Sequence, residues 1–333
     1  MKLNNKGEDY MSYQKITIAG CGLLGSQIAM QAAYCGLDVT VWLRTEDSKK
    51  RAQMRLDDLK IAYVEELEKM KVMKEGDPGW SKGIADFETF DYTECLGKIN
   101  RAYSNIKMEL DLEKAVEGTD LVIESISEDF KAKSEFFQKL SPYIKDNMGV
   151  VTNASTIIPS ELGKFTGHED RFLTLHFMNR IWRKNPAEIM GTAKTSPEFV
   201  KEIEDFSKQI RMVPLHVKKE KAGCIANSML IPFLLSAMDL CVNEVSDFKT
   251  INKAWTAGTG APMGPFETID LVGLRTTRNV AKRFLSVPGI MTPLLKKMML
   301  PYNFKGMNYL LDQYLLEGRE GLAVGKGFFD YDK

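Results

Sequence analysis

The sequence predicts an α/β fold: a doubly wound, mostly parallel sheet followed by an all-helical domain. Apolar segments of strand character alternate with helical patterns as far as about residue 217. From about Ala222 onward the periodicity is helical and no convincing strand occurs. A chain of 333 residues is long enough for two domains, which we expect at residues 13–217 and 218–333.

The first predicted element is an apolar strand that ends at Ala19 and runs into a glycine-rich turn and a helical segment. The glycines have the spacing G-x-G-x-x-G: Gly20, Gly22 and Gly25. Between a strand and a helix, this spacing predicts the first half of a Rossmann unit, here residues 15 to about 43, with a dinucleotide pyrophosphate at the helix N-terminus. The alternative is a glycine-rich turn that binds nothing.

The remaining elements follow in order along the first domain. Helices are predicted at about 47–75, 87–102, 112–116 and 130–140. Strands are predicted at 37–43, 106–110, 120–125, 149–153, 172–177, 187–190 and 213–217. The excursion between about 46 and 105 is longer than a crossover needs. We therefore interpret it as a helical insertion beside the sheet.

Composition excludes several classes of function. Lys+Arg and Asp+Glu both number 45, so no global basic field for nucleic acid exists. The five cysteines lie far apart without a C-x-x-C pair, which predicts neither a disulfide framework nor a zinc site. The polar N-terminus lacks the apolar core of a signal peptide, and no window is apolar enough for a membrane span. We expect a cytoplasmic protein without a nucleic-acid or membrane partner.

Three polar residues in or just after predicted strands could carry chemistry. His176 lies near the end of an apolar strand, where ligands of doubly wound folds bind, and imidazole is the commonest general base. A buried, satisfied histidine is the alternative. Glu188, flanked by apolar residues, could hold its imidazole or form a salt bridge with Arg183 or Lys184. Ser155 is either a hydroxyl donor or a helix cap.

The chain resembles the L-3-hydroxyacyl-CoA dehydrogenase family, which includes short-chain 3-hydroxybutyryl-CoA dehydrogenases. The resemblance spans residues 15–331 and rests on motifs in a fixed order. Those of the first domain are Ala19–Gly25, Val122–Asp129, Asn153–Thr156, Leu175–Asn179 and Ala187–Ile189. Those of the second are Ala222–Asn227, Gly260–Pro265 and Gly325–Tyr331. Singly each motif is weak, but together in this order they are specific.

The resemblance implies a mechanism and a set of site residues. His176 matches the general base, Glu188 its carboxylate partner, and Ser155 and Asn227 the groups that hydrogen-bond the reacting oxygen and position the acyl chain. The implied cofactor contacts are Gly20, Gly22, Leu23, Leu24, Gly25, Leu43, Arg44, Ser125, Glu128, Lys133, Asn153 and Asn179. The family also implies a helical domain for substrate and dimerisation, and hence a homodimer.

The sequence departs from the family in three places. The His-Phe-Phe-Asn-Pro pattern is replaced by a larger, more basic loop, Arg180–Asn185. The helical insertion falls where family members bind part of the CoA. The acid that usually ends the second strand and binds the adenosine ribose is Leu43 here, followed by Arg44. A guanidinium suits a 2′-phosphate, so we expect NADP to be accepted at least as well as NAD. Stacking on adenine or exposure to water is the alternative for Arg44.

Three functions are consistent with these features. The first is an NAD- or NADP-dependent 3-hydroxyacyl-CoA dehydrogenase of short-chain preference. The second keeps the chemistry but acts on a free 3-hydroxy acid, such as a sugar acid or a carnitine-like compound, which the basic loop favours. The third is a non-catalytic dinucleotide-binding sensor, which predicts a broken catalytic set, whereas all four expected residues are present.

Overall fold

The computed structural model describes residues 2–3, 9–10, 13–283 and 302–331. The chain divides into two compact units, Met1–Ile225 and Ala226–Lys333. The first unit holds a sheet covered by helices, and the described part of the second is helical apart from isolated β-bridges near its end. The predicted fold class is therefore confirmed. The expected domain boundary, between residues 217 and 218, falls directly after the last strand.

The first unit is built on an eight-stranded sheet. Its strands are β3 (Lys15–Ala19), β4 (Asp38–Trp42), β5 (Lys107–Glu109), β6 (Leu121–Glu124), β7 (Gly149–Thr152), β8 (Phe172–Phe177), β9 (Pro186–Gly191) and β10 (Val213–His216). Their order is β10-β9-β8-β7-β6-β3-β4-β5. Every neighbouring pair is parallel except β8 and β9, which run antiparallel. Two short strands, β1 (Lys2–Leu3) and β2 (Asp9–Tyr10), form a separate antiparallel pair.

Helices cover this sheet. They are α1 (Leu23–Tyr34), α2 (Glu46–Met70), α3 (Tyr92–Asn105), α4 (Leu112–Val116), α5 (Phe130–Leu140), α6 (Pro159–Gly163) and α7 (Pro197–Gln209). The central strands β6 and β7 are buried at every residue, because helices pack on both faces of the sheet. This explains their continuous apolar sequences.

Helices α2 and α3 form the predicted insertion, and both pack against α1. Helix α2 ends at Met70, earlier than the predicted 75, because its buried face ends there and the following residues form turns before Pro78. Helix α3 begins at Tyr92 rather than 87, because the Asp91 carboxylate accepts a hydrogen bond from Glu94 N at 2.7 Å and caps the helix. Residues 87–89 form a separate 3₁₀ turn.

The second unit packs helices around one apolar core. They are α8 (Ala226–Val242), α9 (Phe248–Thr259), α10 (Pro265–Val272), α11 (Leu274–Arg283) and α12 (Phe304–Leu316). Buried Asp270 of α10 accepts hydrogen bonds from the backbone of Phe328 and Phe329 and from the Tyr331 hydroxyl, at 2.6–2.9 Å. These bonds attach the end of the described chain to the helices. Among the described residues, no helix has the length and apolar character that crossing a membrane requires.

Candidate active site

The glycine turn forms a cradle at the N-terminus of α1. Gly20 has a φ of +97°, and a Cβ on Gly25 would lie 2.1 Å from the Gly20 carbonyl oxygen, so helix and strand approach more closely than any side chain would allow. Gly22 is the N-cap of α1, and no side chain caps the helix there. A Cβ on Gly22 would meet nothing within 4 Å. Uncapped N–H groups beside open space fit a dinucleotide pyrophosphate.

The cradle continues along neighbouring strand ends. Leu43, directly after β4, is buried, and Arg44 is exposed. Neither of these two residues after the strand is an acid. Leu23, at the start of α1, is 57% exposed beside the cradle. These residues therefore lie where the sequence predicted them, and their contacts with a cofactor stay predictions.

Asn153 ties three parallel strands together at their carboxyl ends. Its side chain follows β7, and its Nδ2 donates to Ser125 Oγ, just beyond β6, at 3.3 Å. Its Oδ1 accepts a hydrogen bond from Phe177 N on β8 at 3.0 Å. Since His176 directly precedes Phe177, Asn153 also holds the strand end that carries the predicted base.

His176 and Glu188 form a buried pair across the antiparallel strands. The register of β8 and β9 places them directly opposite each other. His176 Nδ1 lies 2.8 Å from Glu188 Oε2, and the residues are 5% and 1% exposed. Because a carboxylate accepts, Nδ1 carries the proton, and in the neutral imidazole Nε2 then presents its lone pair. Arg183, which the sequence offered as an alternative partner for Glu188, instead has its Nε 3.8 Å from Glu66 Oε1.

A second buried ion cluster lies beside the strand ends. Lys133 of α5 is 1% exposed, and its Nζ donates to Glu124 Oε1 at 2.6 Å and lies 3.5 Å from Glu128 Oε2. Burial raises the pKa of Glu124, and the Lys133 charge offsets this only in part. For Glu128, burial acts in the same direction, but Lys133 and hydrogen bonds from Thr156 and Ser155 outweigh it and lower the pKa.

Ser155 is held by this cluster rather than by a helix. Its backbone N donates to Glu128 Oε1 at 2.9 Å, and its Oγ lies 3.4 Å from the same oxygen. The helix-cap interpretation of Ser155 is wrong, because α6 begins at Pro159 and its N-cap is Ile158. Glu128 and Lys133, expected near the nicotinamide ribose, therefore also position Ser155.

The basic loop after β8 is fixed at its start by α1. Gln27 Nε2 donates to Asn179 Oδ1 at 2.7 Å, and Gln27 Oε1 accepts from Arg180 N at 2.7 Å. Arg180 has a φ of +61°, a left-handed conformation that costs free energy in a non-glycine residue. Burial, followed by the charges of Arg180 and Arg183, lowers the pKa of Lys184. The loop thus concentrates positive charge near the strand ends.

Asn227 belongs to the second unit, in the first turn of α8, and its catalytic role stays a prediction. Sequence reasoning missed Gln27, which holds the start of the basic loop. It also missed Thr152, whose Oγ1 donates to Glu124 Oε2 at 2.5 Å. It also gave no role to Cys224, whose Sγ lies within 4.8 Å of ligand atoms of His176 and Glu188. The only signal for Cys224 in the sequence was its position within the family motif Ala222–Asn227.

Together, a phosphate cradle at a helix N-terminus and an oriented imidazole at a strand end define a nicotinamide-dinucleotide-dependent oxidoreductase. The family model described as 3-hydroxyacyl-CoA dehydrogenase, NAD binding domain, matches residues 15–221. The model of the C-terminal domain of the same enzymes matches residues 223–331. The chain belongs to the 3-hydroxyacyl-CoA dehydrogenase family and is an oxidoreductase that acts on CH–OH groups.

Similar proteins include both CoA-dependent and other enzymes. The mitochondrial hydroxyacyl-coenzyme A dehydrogenase of Sus scrofa is 29% identical over 316 residues, covering 95% of this chain and 90% of the relative. A probable 3-hydroxybutyryl-CoA dehydrogenase of Bacillus subtilis is 26% identical, covering 97% and 99%. A solved diketoreductase, described as acting on dicarbonyl compounds, is 36% identical with a TM-score of 0.78, covering 96% of this chain and 100% of that chain.

Proposed function

We propose that the protein oxidises the 3-hydroxyl group of a short-chain L-3-hydroxyacyl-CoA, similar to 3-hydroxybutyryl-CoA, to the 3-oxoacyl-CoA. The observation that carries this proposal is the buried His176–Glu188 pair at the carboxyl end of β8, with Nδ1 of His176 bound to the carboxylate at 2.8 Å. A bound nicotinamide cofactor supplies the hydride acceptor. The family relatives support the CoA thioester as substrate.

His176 Nε2 accepts the proton of the 3-hydroxyl group in this proposal. Glu188 keeps the proton on Nδ1 and fixes the orientation of the ring, so that the lone pair of Nε2 is aimed before the substrate arrives. Ser155, held by Glu128, offers a hydroxyl group to the reacting oxygen. The balance is one proton to the imidazole and one hydride to the cofactor for each alcohol oxidised.

A free 3-hydroxy acid is the second candidate substrate, because of the basic loop. Arg180, Arg183 and Lys184 lie close enough for burial and the two guanidinium charges to lower the pKa of Lys184. An anionic carboxylate would relieve this repulsion. The 36% identity with a diketoreductase also supports a substrate without CoA.

One substrate panel separates the two candidates. The rates with 3-hydroxybutyryl-CoA, 3-hydroxybutyrate and sugar acids are measured by the absorbance of reduced nicotinamide. A kcat/KM at least about tenfold higher for the CoA ester supports the first candidate. Turnover of free acids that falls in Lys184→Met, with Lys82→Met unchanged, supports the second. No turnover of any of these compounds contradicts both and favours the dinucleotide-binding sensor.

We propose further that NADP is accepted at least as well as NAD. Exposed Arg44 follows β4, and Leu43 replaces the acid that would repel a 2′-phosphate. Arg44→Ala should shift the ratio of the two kcat/KM values toward NAD by about 2–5-fold, the size of one exposed charge contact. The control is Arg51→Ala, farther along α2. An unchanged ratio in Arg44→Ala defeats the argument from Arg44.

The predicted homodimer also stays a proposal. Several large apolar side chains of the helical unit are exposed, among them Met229, Trp255, Tyr309 and Leu316. Light scattering coupled to size-exclusion chromatography measures the mass directly. A mass of one chain at micromolar concentration contradicts a dimer.

A further inference from the structure

Cys224 lies against the catalytic pair. Its Sγ, one ring nitrogen of His176 and one carboxylate oxygen of Glu188 all lie within 4.8 Å of one another. The three residues are 1%, 5% and 1% exposed, so this is a buried cluster of sulfur, nitrogen and oxygen ligands. Among the described residues, no other group of three such side chains meets this distance.

The backbone holds Cys224 in this place. Glu188 Oε1 accepts a hydrogen bond from Ile225 N at 2.8 Å, while Glu188 Oε2 binds His176. Gly223 N donates to Ser155 O at 2.7 Å on the other side. Cys224 itself has a φ of +47°, a conformation that a non-glycine residue adopts only when its surroundings enforce it. Both neighbours of Cys224 are therefore bonded to residues of the proposed active site.

We propose that Cys224, His176 and Glu188 form a binding site for Zn²⁺, and that zinc bound there stops the enzyme. Thiolate, imidazole and carboxylate are the side chains that bind zinc in proteins, commonly three of them with one open position. The inhibition rests on the proposed function of His176 as general base, whereas the binding of zinc does not. A metal that takes up the imidazole lone pair removes the proton acceptor.

The distances are compatible with a zinc ion after small movements. Zinc–ligand bonds of about 2.0–2.3 Å in a tetrahedron place ligand atoms about 3.3–3.8 Å apart. From a largest separation within 4.8 Å, the ligand atoms need to approach by no more than about 1.5 Å. His176 Nδ1 and Glu188 Oε2, which are 2.8 Å apart, would move apart by about 0.5 Å or more to hold a zinc ion between them. Rotation about side-chain bonds supplies such a movement without a change of the strands.

The charge balance favours a divalent cation. When zinc binds, the S–H bond of Cys224 breaks, an S–Zn bond forms, and the proton leaves to solvent without any redox change. A neutral imidazole has one lone pair, so zinc on Nε2 leaves the proton on Nδ1, whereas zinc on Nδ1 moves that proton to Nε2. One thiolate and one carboxylate then neutralise the two positive charges within a buried site. Burial first, and then the charges of Glu188 and Glu128, raise the pKa of Cys224 to about 12. The same two carboxylates attract a cation, while Lys133, 3.5 Å from Glu128 Oε2, opposes it in part.

The test uses the full-length enzyme, first treated with a chelator and then titrated with Zn²⁺. We expect one tightly bound zinc per chain in equilibrium dialysis, and loss of activity with the same concentration dependence. In Cys224→Ala and Cys224→Ser, the inhibition constant should rise more than about tenfold. Cys95→Ala, at a buried cysteine within the helical insertion, is the matched control and should behave as wild type. Each variant is compared with its own rate without metal.

Cobalt gives a readout that is independent of turnover. Co²⁺ bound by Cys224 should show thiolate-to-cobalt charge-transfer absorption, which both Cys224 variants lack and Cys95→Ala retains. Absence of this band in wild type, or equal zinc inhibition of wild type and Cys224→Ala, overturns the proposed site. Binding with the band but without inhibition supports the site, overturns the inhibitory effect, and contradicts His176 as the base.

Discussion

Two buried polar clusters lie near the carboxyl ends of β6 and β8, which β7 separates in the sheet, and the two clusters differ in their chemistry. In one, Glu188 binds His176 across β8 and β9 at 2.8 Å. In the other, Glu124 at the end of β6 binds Lys133 at 2.6 Å, and Glu128 joins them. Both central carboxylates are almost fully buried, at 1% and 0% exposure. Their partners, an imidazole and an ammonium group, differ in chemistry.

The difference separates proton transfer from positioning. An imidazole exchanges its proton near neutral pH, so a carboxylate that fixes one ring nitrogen leaves the other ready to accept a proton. The ammonium group of Lys133 supplies a positive charge that stabilises the carboxylates of Glu124 and Glu128. These carboxylates accept hydrogen bonds from the backbone N–H groups of Ile126, just beyond β6, and Ser155. We therefore expect mutations in the first cluster to change rates and mutations in the second to change stability.

The largest expected effect tests the His176 side of this comparison. His176→Gln keeps a donor for Glu188 but removes the proton acceptor, so kcat should fall by about 10²–10⁴-fold. The free energy of unfolding should change by less than about 1 kcal/mol. Steady-state kinetics and urea unfolding measure the two quantities. His168→Gln, outside the site, is the control, and a rate within a few fold of wild type would remove His176 as the base.

The next effect tests the Lys133 side. Lys133→Met leaves Glu124 and Glu128 close together without their cation, and should lower the free energy of unfolding by about 3–5 kcal/mol. The control is Lys131→Met on the same helix, where the side chain is 84% exposed and the change should stay within about 0.5 kcal/mol. Equal stability of the two variants would mean that the buried cluster does not support the fold.

The smallest effect depends on pH. Folding lowers the pKa of Glu128, so its ionised carboxylate stabilises the fold. This contribution is complete above the pKa of a glutamate in the unfolded chain, about 4.3. It is lost as the pH falls through the lower pKa of Glu128 in the folded protein. Glu128→Gln should therefore cost about 1.5–3 kcal/mol at pH 7, with the two proteins converging below about pH 4. Unfolding curves across this range measure the difference, and exposed Glu65→Gln is the control. A difference independent of pH would contradict the role of the charge.

Much of the first unit follows from local sequence. The glycine turn, the strand ends and the helical insertion depend on residues that are near one another in the chain, and the structure has them where the sequence predicts them. The errors lie at helix ends, such as Met70 and Tyr92, where the extent of the buried face and a capping carboxylate decide the boundary.

The sequence by itself determined the class of fold and the glycine turn, because these depend on local patterns, and the family motifs along the chain supplied the residue types of the predicted catalytic set. Only the tertiary structure decided which side chains meet. The antiparallel register of β8 and β9 places His176 opposite Glu188. The path of the chain after β10 brings Cys224 to the same pair, and the turn before α5 brings Glu128 to Ser155. Such contacts join residues distant in sequence, and no local pattern specifies them.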